Sequence, residues 1–208
     1  MCDRAMDKIK CLQAYSDEYY RSMFGIHPEM DAETSLKKAM VFLDHYAMDD
    51  DVYKRLCCPV MNKVFSFPMN CHNEEITEAF HDGFQQFAYN SSPMLWSEKF
   101  ELIRSIAVSF GDNSLFVVED ERCEEDPDVA FKFMFPIHLT WEEISDGGFI
   151  SDVLFNMFHN DYYLFGNSGN WGIWCNYDNP REDIEILGYN NINKEIQVYK
   201  NWYISNQL

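Results

Sequence analysis

Residues 162–177, YYLFGNSGNWGIWCNY, decide the fold of this chain. Two short runs rich in aromatic and β-branched residues, 162–165 and 172–177, flank the turn-forming residues 167–170. Runs of this kind around an Asn/Ser/Gly turn are typical of paired antiparallel strands. A third run, 184–187, follows after a second turn, so the segment predicts a three-stranded meander.

The two tryptophans of this segment are predicted to point to opposite faces of the sheet. Alternation along a strand sends Trp171 to one face and Trp174 to the other. At least one of them is therefore expected in the core. The other, together with Tyr177, is predicted to anchor a protein partner, because exposed tryptophan and tyrosine often dominate binding energy. The alternative is that both indole rings are buried in a thick core.

A second hairpin is predicted upstream, around a strongly acidic connection. Residues 114–118 are apolar and residues 131–135 alternate Phe with Lys and Met, so both runs favour strands. The connection, residues 119–128, predicts an electrostatic docking surface for Lys and Arg of a partner. Its candidate partner-binding residues are Glu119, Asp120, Glu121, Glu124, Glu125, Asp126 and Asp128. The alternative is a solvated hairpin tip, which is the usual role of such a charge run.

Helical spacing dominates the first half of the chain and returns around the strands. The predicted helices carry apolar residues three or four positions apart, and several begin at capping residues such as those of the Thr140-x-x-Glu143 box. They cover residues 5–24, Asp31 through Ala47, Asn73 through Phe87, Pro93 through Phe110, a short helix opened by Trp141, residues 150–158 and residues 192–203. Residues 57–71 hold two prolines and instead predict a loop or a short edge strand.

Helices first and strands later predict an α+β fold. We expect a helical N-terminal half packed against an antiparallel sheet built mostly from the C-terminal half. No internal repeat or low-complexity tract divides the chain. We therefore expect a single domain over residues 1–208, with residues 1–92 mainly helical and residues 93–208 holding the acidic hairpin and the meander.

The charge balance restricts the possible partners. Lys plus Arg number 16 and Asp plus Glu number 35, a net charge of −19. Residues 93–208 hold 7 basic and 20 acidic residues, so −13 of this charge lies there. Such a surface repels nucleic acid and anionic lipid and attracts basic proteins. The alternative is that the acidity only maintains solubility.

The N-terminus and the cysteines predict a cytoplasmic protein. Residues 1–11 lack the apolar core of a secretory signal, and no run approaches the roughly 18 apolar residues of a membrane-spanning helix. The seven cysteines are odd in number and form no CxxC pair. This usage favours reduced thiols over a disulfide framework.

The sequence contains none of the common motifs for catalysis or cofactor binding. A phosphate loop, a dinucleotide turn, a nucleophile elbow and a zinc helix are all missing from it. Cys123 lies in the acidic run, which disfavours a thiolate, and Cys175 alternates like a core residue. Cys71, His72 and His81 lack the spacing of a structural zinc site. We therefore expect no catalytic residues, no cofactor and no metal.

A set of motifs between residues 140 and 190, about a quarter of the chain, resembles a known family. The motifs are Asp161-Tyr162-Tyr163, Phe165-Gly166, Ser168-Gly169, Trp171-Gly172 and Ile186-Leu187-Gly188-Tyr189. Their order resembles that of bacterial immunity-type proteins from polymorphic-toxin systems, with a looser likeness to the Smi1/Knr4 (SUKH) superfamily. The resemblance implies a protein that neutralises a toxin domain inside the producing cell.

Residues and resemblance together predict a non-enzymatic acidic protein that binds a cognate toxin, a nuclease being one candidate, and occludes its basic site. We expect a basic protein partner, no nucleic acid, no membrane, and a monomer or weak dimer. One alternative is a small regulatory or scaffold protein without a toxin partner. The other is a divergent hydrolase, which a cleft holding a carboxylate or histidine of shifted pKa would favour.

Overall fold

Six strands form one antiparallel sheet in the described part of the chain. The computed structural model describes residues 41–42, 44–66, 79–90, 97–119, 132–145, 162–176 and 184–206. The strands are β1 (Gln85–Asn90), β2 (Ser114–Glu119), β3 (Lys132–Pro136), β4 (Tyr162–Gly166), β5 (Trp171–Asn176) and β6 (Ile184–Tyr189). Their order across the sheet is β1-β6-β5-β4-β2-β3.

Helices accompany this sheet, and residues 41–42 and 44–46 are helical as well. The helices with defined bounds are α1 (Asp50–Val52), α2 (Cys58–Val64), α3 (Ser97–Ser109), α4 (Trp141–Ser145) and α5 (Lys194–Asn206). A π-helical segment, Tyr53–Cys57, joins α1 to α2. Among the described helices, none has the length and apolar character needed to cross a membrane.

The predicted meander and upstream hairpin are both confirmed. Strands β4, β5 and β6 pair consecutively, and β2 pairs with β3 and with β4. The tight β4–β5 turn requires a residue in the left-handed region, and Gly169 supplies it with φ of 63°. Gly111, with φ of 77°, ends α3 as expected.

Apolar side chains cover both faces of the sheet. On one face, α3 and α5 pack over Leu115, Trp171, Ile173, Leu187 and Tyr189, and we call this the α3/α5 face. On the other, α2 and Phe80 pack over Phe116, Tyr163, Phe165, Trp174 and Ile186, and we call this the α2 face. Because strands alternate their side chains, two such layers bury almost every residue of the central strands.

Two predicted segments are wrong. Within residues 57–71, the structure has helix α2, because Pro59 lies in its first turn, where a missing N–H costs nothing. Within the helix predicted from Asn73 through Phe87, Phe80 forms an isolated bridge with Phe65, and β1 follows. Pairing with β6 and the positive φ of Gly83, 98°, outweigh the helical spacing of the phenylalanines.

The α+β class is confirmed, and five of the six strands follow residue 113. Helix α5 lies where residues 192–203 predict one. The Thr140 capping box opens α4, since Thr140 N–H donates to Glu143 Oε2 at 2.8 Å and Glu143 N–H donates to Thr140 Oγ1 at 3.3 Å. The predicted helices at residues 5–24 and 150–158 lie outside the described residues, as do most of residues 31–47 and the capped start at Pro93.

Candidate functional site

Of the acidic connection predicted to dock a partner, residues 119–128, only the first residue lies in the described part of the chain. Glu119 is the last residue of β2. The other candidates lie outside the described residues: Asp120, Glu121, Glu124, Glu125, Asp126, Asp128 and Tyr177. Their role in binding stays a prediction.

The two tryptophans do not form a surface anchor. Trp171 is 0% exposed and Trp174 is 2% exposed. They point to opposite faces, as the alternation predicts, but a layer of helix or aromatic side chains covers each face. The alternative that both rings are buried is therefore correct, and their place among the partner-binding residues is corrected.

Trp171 instead fixes the β4–β5 turn to the end of α3. Its indole Nε1–H donates to Oδ2 of the buried Asp112 at 2.8 Å, and the Ser168 N–H donates to Oδ1 at 2.5 Å. A Cβ on Gly166 would lie 2.0 Å from the Asp112 carboxylate. Trp171, Ser168 and Gly166 belong to the motifs that carry the family resemblance, so these motif residues are explained by the fold.

A buried ion pair and a tyrosine that bonds it link three elements, α3, β6 and α5. Lys99 of α3 donates to Glu185 of β6, and both side chains are fully buried. The Tyr203 hydroxyl of α5 donates to the second carboxylate oxygen of Glu185 at 3.0 Å. Next to them, the Tyr89 and Tyr199 hydroxyls bond each other at 2.9 Å. The sheet and both helices thus share one internal polar network.

The environment favours a charged Lys99 and neutral tyrosines. Burial by itself lowers the pKa of Lys99, but the charges and hydrogen bond of its neighbours, Glu185 first among them, together outweigh burial, and the net shift of the pKa is upward. Burial raises the pKa of Tyr89, Tyr199 and Tyr203 above the usual value, and the charge on Glu185 raises each further. A charged, paired lysine and neutral phenols enclosed in a core are suited to structure and not to proton transfer.

Two of the described thiols, Cys57 and Cys175, are enclosed in the core. Cys57 is fully buried, and burial raises its pKa well above the ordinary value. Cys175 is also fully buried, in β5. Within the described ranges, no group of three His, Cys, Asp or Glu side chains is placed to hold a metal ion.

Charge is unevenly divided between the described residues and the rest of the chain. Of the 35 acidic and 16 basic residues, 13 and 8 are described, which gives a net charge of −5 there and −14 elsewhere. Exposed carboxylates in the described part include Asp50, Asp51, Asp82, Glu98 and Glu142. Most of the negative charge therefore belongs to segments whose placement the structure does not describe.

A groove with a volume of about 340 Å³ lies at the surface between α3 and α5, and we call it the α3/α5 groove. Its lining residues are Arg104, Ser105, Val108 and Ser109 of α3 and Glu195 of α5. The two helices run antiparallel, since Asn193 at the start of α5 bonds Ser109 at the end of α3, and Tyr203 near the end of α5 lies beneath Lys99.

Sequence reasoning missed Lys99, Glu185, Asp112 and the groove. A signal existed for the first two: Lys99 precedes Ile103 and Ile106 at helical spacing, and Glu185 alternates with Leu187 and Tyr189. Each charged residue thus occupies a position that its neighbours mark as core.

Comparison with protein-family models, curated proteins and solved structures finds no match for this chain.

Proposed function

We propose that this chain is a non-enzymatic, acidic immunity-type protein that binds a cognate toxin domain inside the producing cell and covers its basic substrate site. The proposal joins the net charge of −19 to the motif resemblance between residues 140 and 190. Toxin domains that cut nucleic acid need a cationic cleft for the phosphate backbone. A carboxylate-rich protein is complementary to such a cleft.

One observation about the described residues carries the proposal. The buried charged groups are used inside the molecule: Lys99 pairs with Glu185, and Asp112 accepts from Trp171 and Ser168. The described carboxylates outside the core include Asp50, Asp51, Asp82, Glu98 and Glu142, which are exposed and can be reached by another molecule. In the part of the chain that the structure describes, a partner therefore meets mostly negative charge and no buried pair placed for proton transfer.

Electrostatic attraction would raise the rate at which the toxin is captured. Local contacts would lengthen the lifetime of the complex. Complementary charge raises association rates and makes them fall as salt rises. Contacts that exclude water then slow dissociation. The salt dependence of the association rate is therefore the physical signature of the proposal.

The test uses the toxin-like product of the neighbouring open reading frame. Co-expression is expected to rescue cells from that product, and the two proteins are expected to co-purify as a complex. Association rates measured by stopped-flow fluorescence should fall steeply between low and physiological salt. An unrelated basic protein of similar charge, which should bind weakly and give no lasting complex, is the control. Lack of both rescue and complex would refute the proposal.

A further inference from the structure

The α3/α5 groove contains an acidic oxygen that accepts no hydrogen bond within the described part of the chain. Glu195 Oε2 is enclosed, and it accepts no hydrogen bond from any described residue. A carboxylate oxygen removed from water without a hydrogen bond costs free energy, so a donor that enters the groove would recover that cost.

The other polar side chains of the lining are already engaged. Arg104 donates to Glu101 through Nε at 2.8 Å and Nη2 at 2.5 Å. The Ser105 hydroxyl donates to the Glu101 carbonyl at 2.8 Å. The Ser109 hydroxyl donates to the Ile106 carbonyl at 2.6 Å and accepts from Asn193 Nδ2 at 2.9 Å. Since Arg104 is paired with Glu101, the unmatched charge among the described lining residues is the negative one of Glu195.

Apolar surface flanks this charge. Val108 lines the groove and is 58% exposed. A ligand that fits must combine an aliphatic stem, to cover this valine, with a cationic donor for the carboxylate.

We infer that the α3/α5 groove receives a lysine or arginine side chain of the protein partner, with its stem against Val108 and its cationic head on Glu195. The inference rests on the proposed function, because it names the surface that a basic partner would occupy. Lysine and arginine alone among side chains join a long apolar stem to a permanent positive charge. The groove is thus a specific contact within a generally acidic surface.

The first test needs no toxin. Capped tripeptides Ala-Lys-Ala and Ala-Arg-Ala are titrated into the ¹⁵N-labelled full chain, with Ala-norleucine-Ala as the uncharged control. The basic tripeptides should shift the amide signals of Val108, Ser109 and Glu195 and bind at least about tenfold more tightly than the control. Equal binding of all three, or shifts that avoid the groove, would overturn the inference.

Matched variants assign the effect to one carboxylate. Glu195→Gln should remove the preference for the basic tripeptides, whereas Glu142→Gln, the same change at an exposed position of α4, should keep it. Val108→Ser should weaken the binding of all three tripeptides a fewfold, since it removes only apolar contact. This variant tests the groove if Glu195→Gln proves unstable. A preference unchanged in Glu195→Gln would contradict the assignment.

Binding measurements with the toxin itself distinguish the two proposals. Affinity for the neighbouring gene product should fall about tenfold or more in Glu195→Gln and hardly change in Glu142→Gln. If the toxin binds Glu195→Gln as tightly as the unsubstituted chain, the groove is not the interface, although the proposed function stands. If the toxin binds no variant, the proposed function fails, and the tripeptide titration still decides whether the groove accepts a basic side chain.

Discussion

The two faces of the sheet are stabilised in different ways. All three buried charged residues of the described part, Lys99, Asp112 and Glu185, lie on the α3/α5 face. The α2 face is instead packed closely onto glycines: a Cβ on Gly188 would lie 2.3 Å from the Phe80 ring, and a Cβ on Gly172 would lie 2.9 Å from Phe65. The α3/α5 face thus holds its helices partly through buried polar partners, whereas the α2 face relies on close apolar packing.

The difference shows what each face can tolerate. Close apolar packing is sensitive to added volume, whereas a buried ion pair is sensitive to the loss of either partner. The polar bonds of the α3/α5 face also fix where α3 and α5 sit over the sheet, and these helices form the groove proposed to bind the partner. We therefore expect the α3/α5 face to combine stability with positioning.

The largest expected effect on stability comes from replacing one partner of the ion pair. Lys99→Met should destabilise the chain by about 3–5 kcal/mol, because it leaves the Glu185 carboxylate buried and without its cation. Adding Glu185→Gln should recover part of the loss, since the amide oxygen still accepts from Tyr203 and carries no charge. Urea unfolding monitored by tryptophan fluorescence measures both variants.

Lys194→Met, which removes an exposed lysine at the start of α5, is the control and should change stability by less than about 0.5 kcal/mol. If Lys99→Met costs no more than Lys194→Met, the internal network has no role in stability.

The effect of pH on the contribution of Lys99 to stability has a fixed sign. Since the folded-state pKa of Lys99 is raised, its contribution is full below the usual value of 10.5 and is lost as pH rises above it.

On the α2 face, added volume should have the next largest effect. Gly188→Ala is expected to cost about 3 kcal/mol, because three ring atoms of Phe80 lie within 2.5 Å of the new Cβ. Gly172→Ala should cost less, since its nearest neighbour is the far end of the Phe65 ring. Thermal unfolding ranks the two, and Phe80→Leu should rescue the Gly188 variant alone. Equal losses, or rescue of both, would contradict steric packing as the cause.

Much of the sheet could be predicted from the sequence, because local signals and tertiary structure agree there. The turn around Gly169 and the alternation of β5 specify the pairing of β4 with β5 without outside help. The β1 strand could not be predicted, because its phenylalanines also fit a helical stripe and only pairing with β6 decides between the two. Local periodicity is ambiguous where a partner strand lies about a hundred residues away.

The site was harder to predict, for a physical reason. The aromatic residues of residues 162–177 suggest both a core and an anchor, and only the two covering layers show that Trp171 and Trp174 are core. The α3/α5 groove arises where α3 meets α5, elements far apart in the sequence, so no single stretch contains its signature. Glu195 alone looks like an ordinary acidic residue in the first turn of a helix.

The smallest of the three effects is expected at Asp112, where the α3/α5 face meets the β4–β5 turn. Asp112→Asn keeps the size of the side chain, but its amide NH₂ must face either the Trp171 Nε1–H or the Ser168 N–H, so one donor loses its acceptor. We expect a loss of about 1–2 kcal/mol, measured as a lower Tm, and a shift of the Trp171 indole N–H signal. Asp82→Asn, the same change at an exposed turn, should do neither. If the two variants behave alike, the turn is held by its glycines and not by the carboxylate, and the buried polar contribution of the α3/α5 face comes from the network around Lys99 and Glu185.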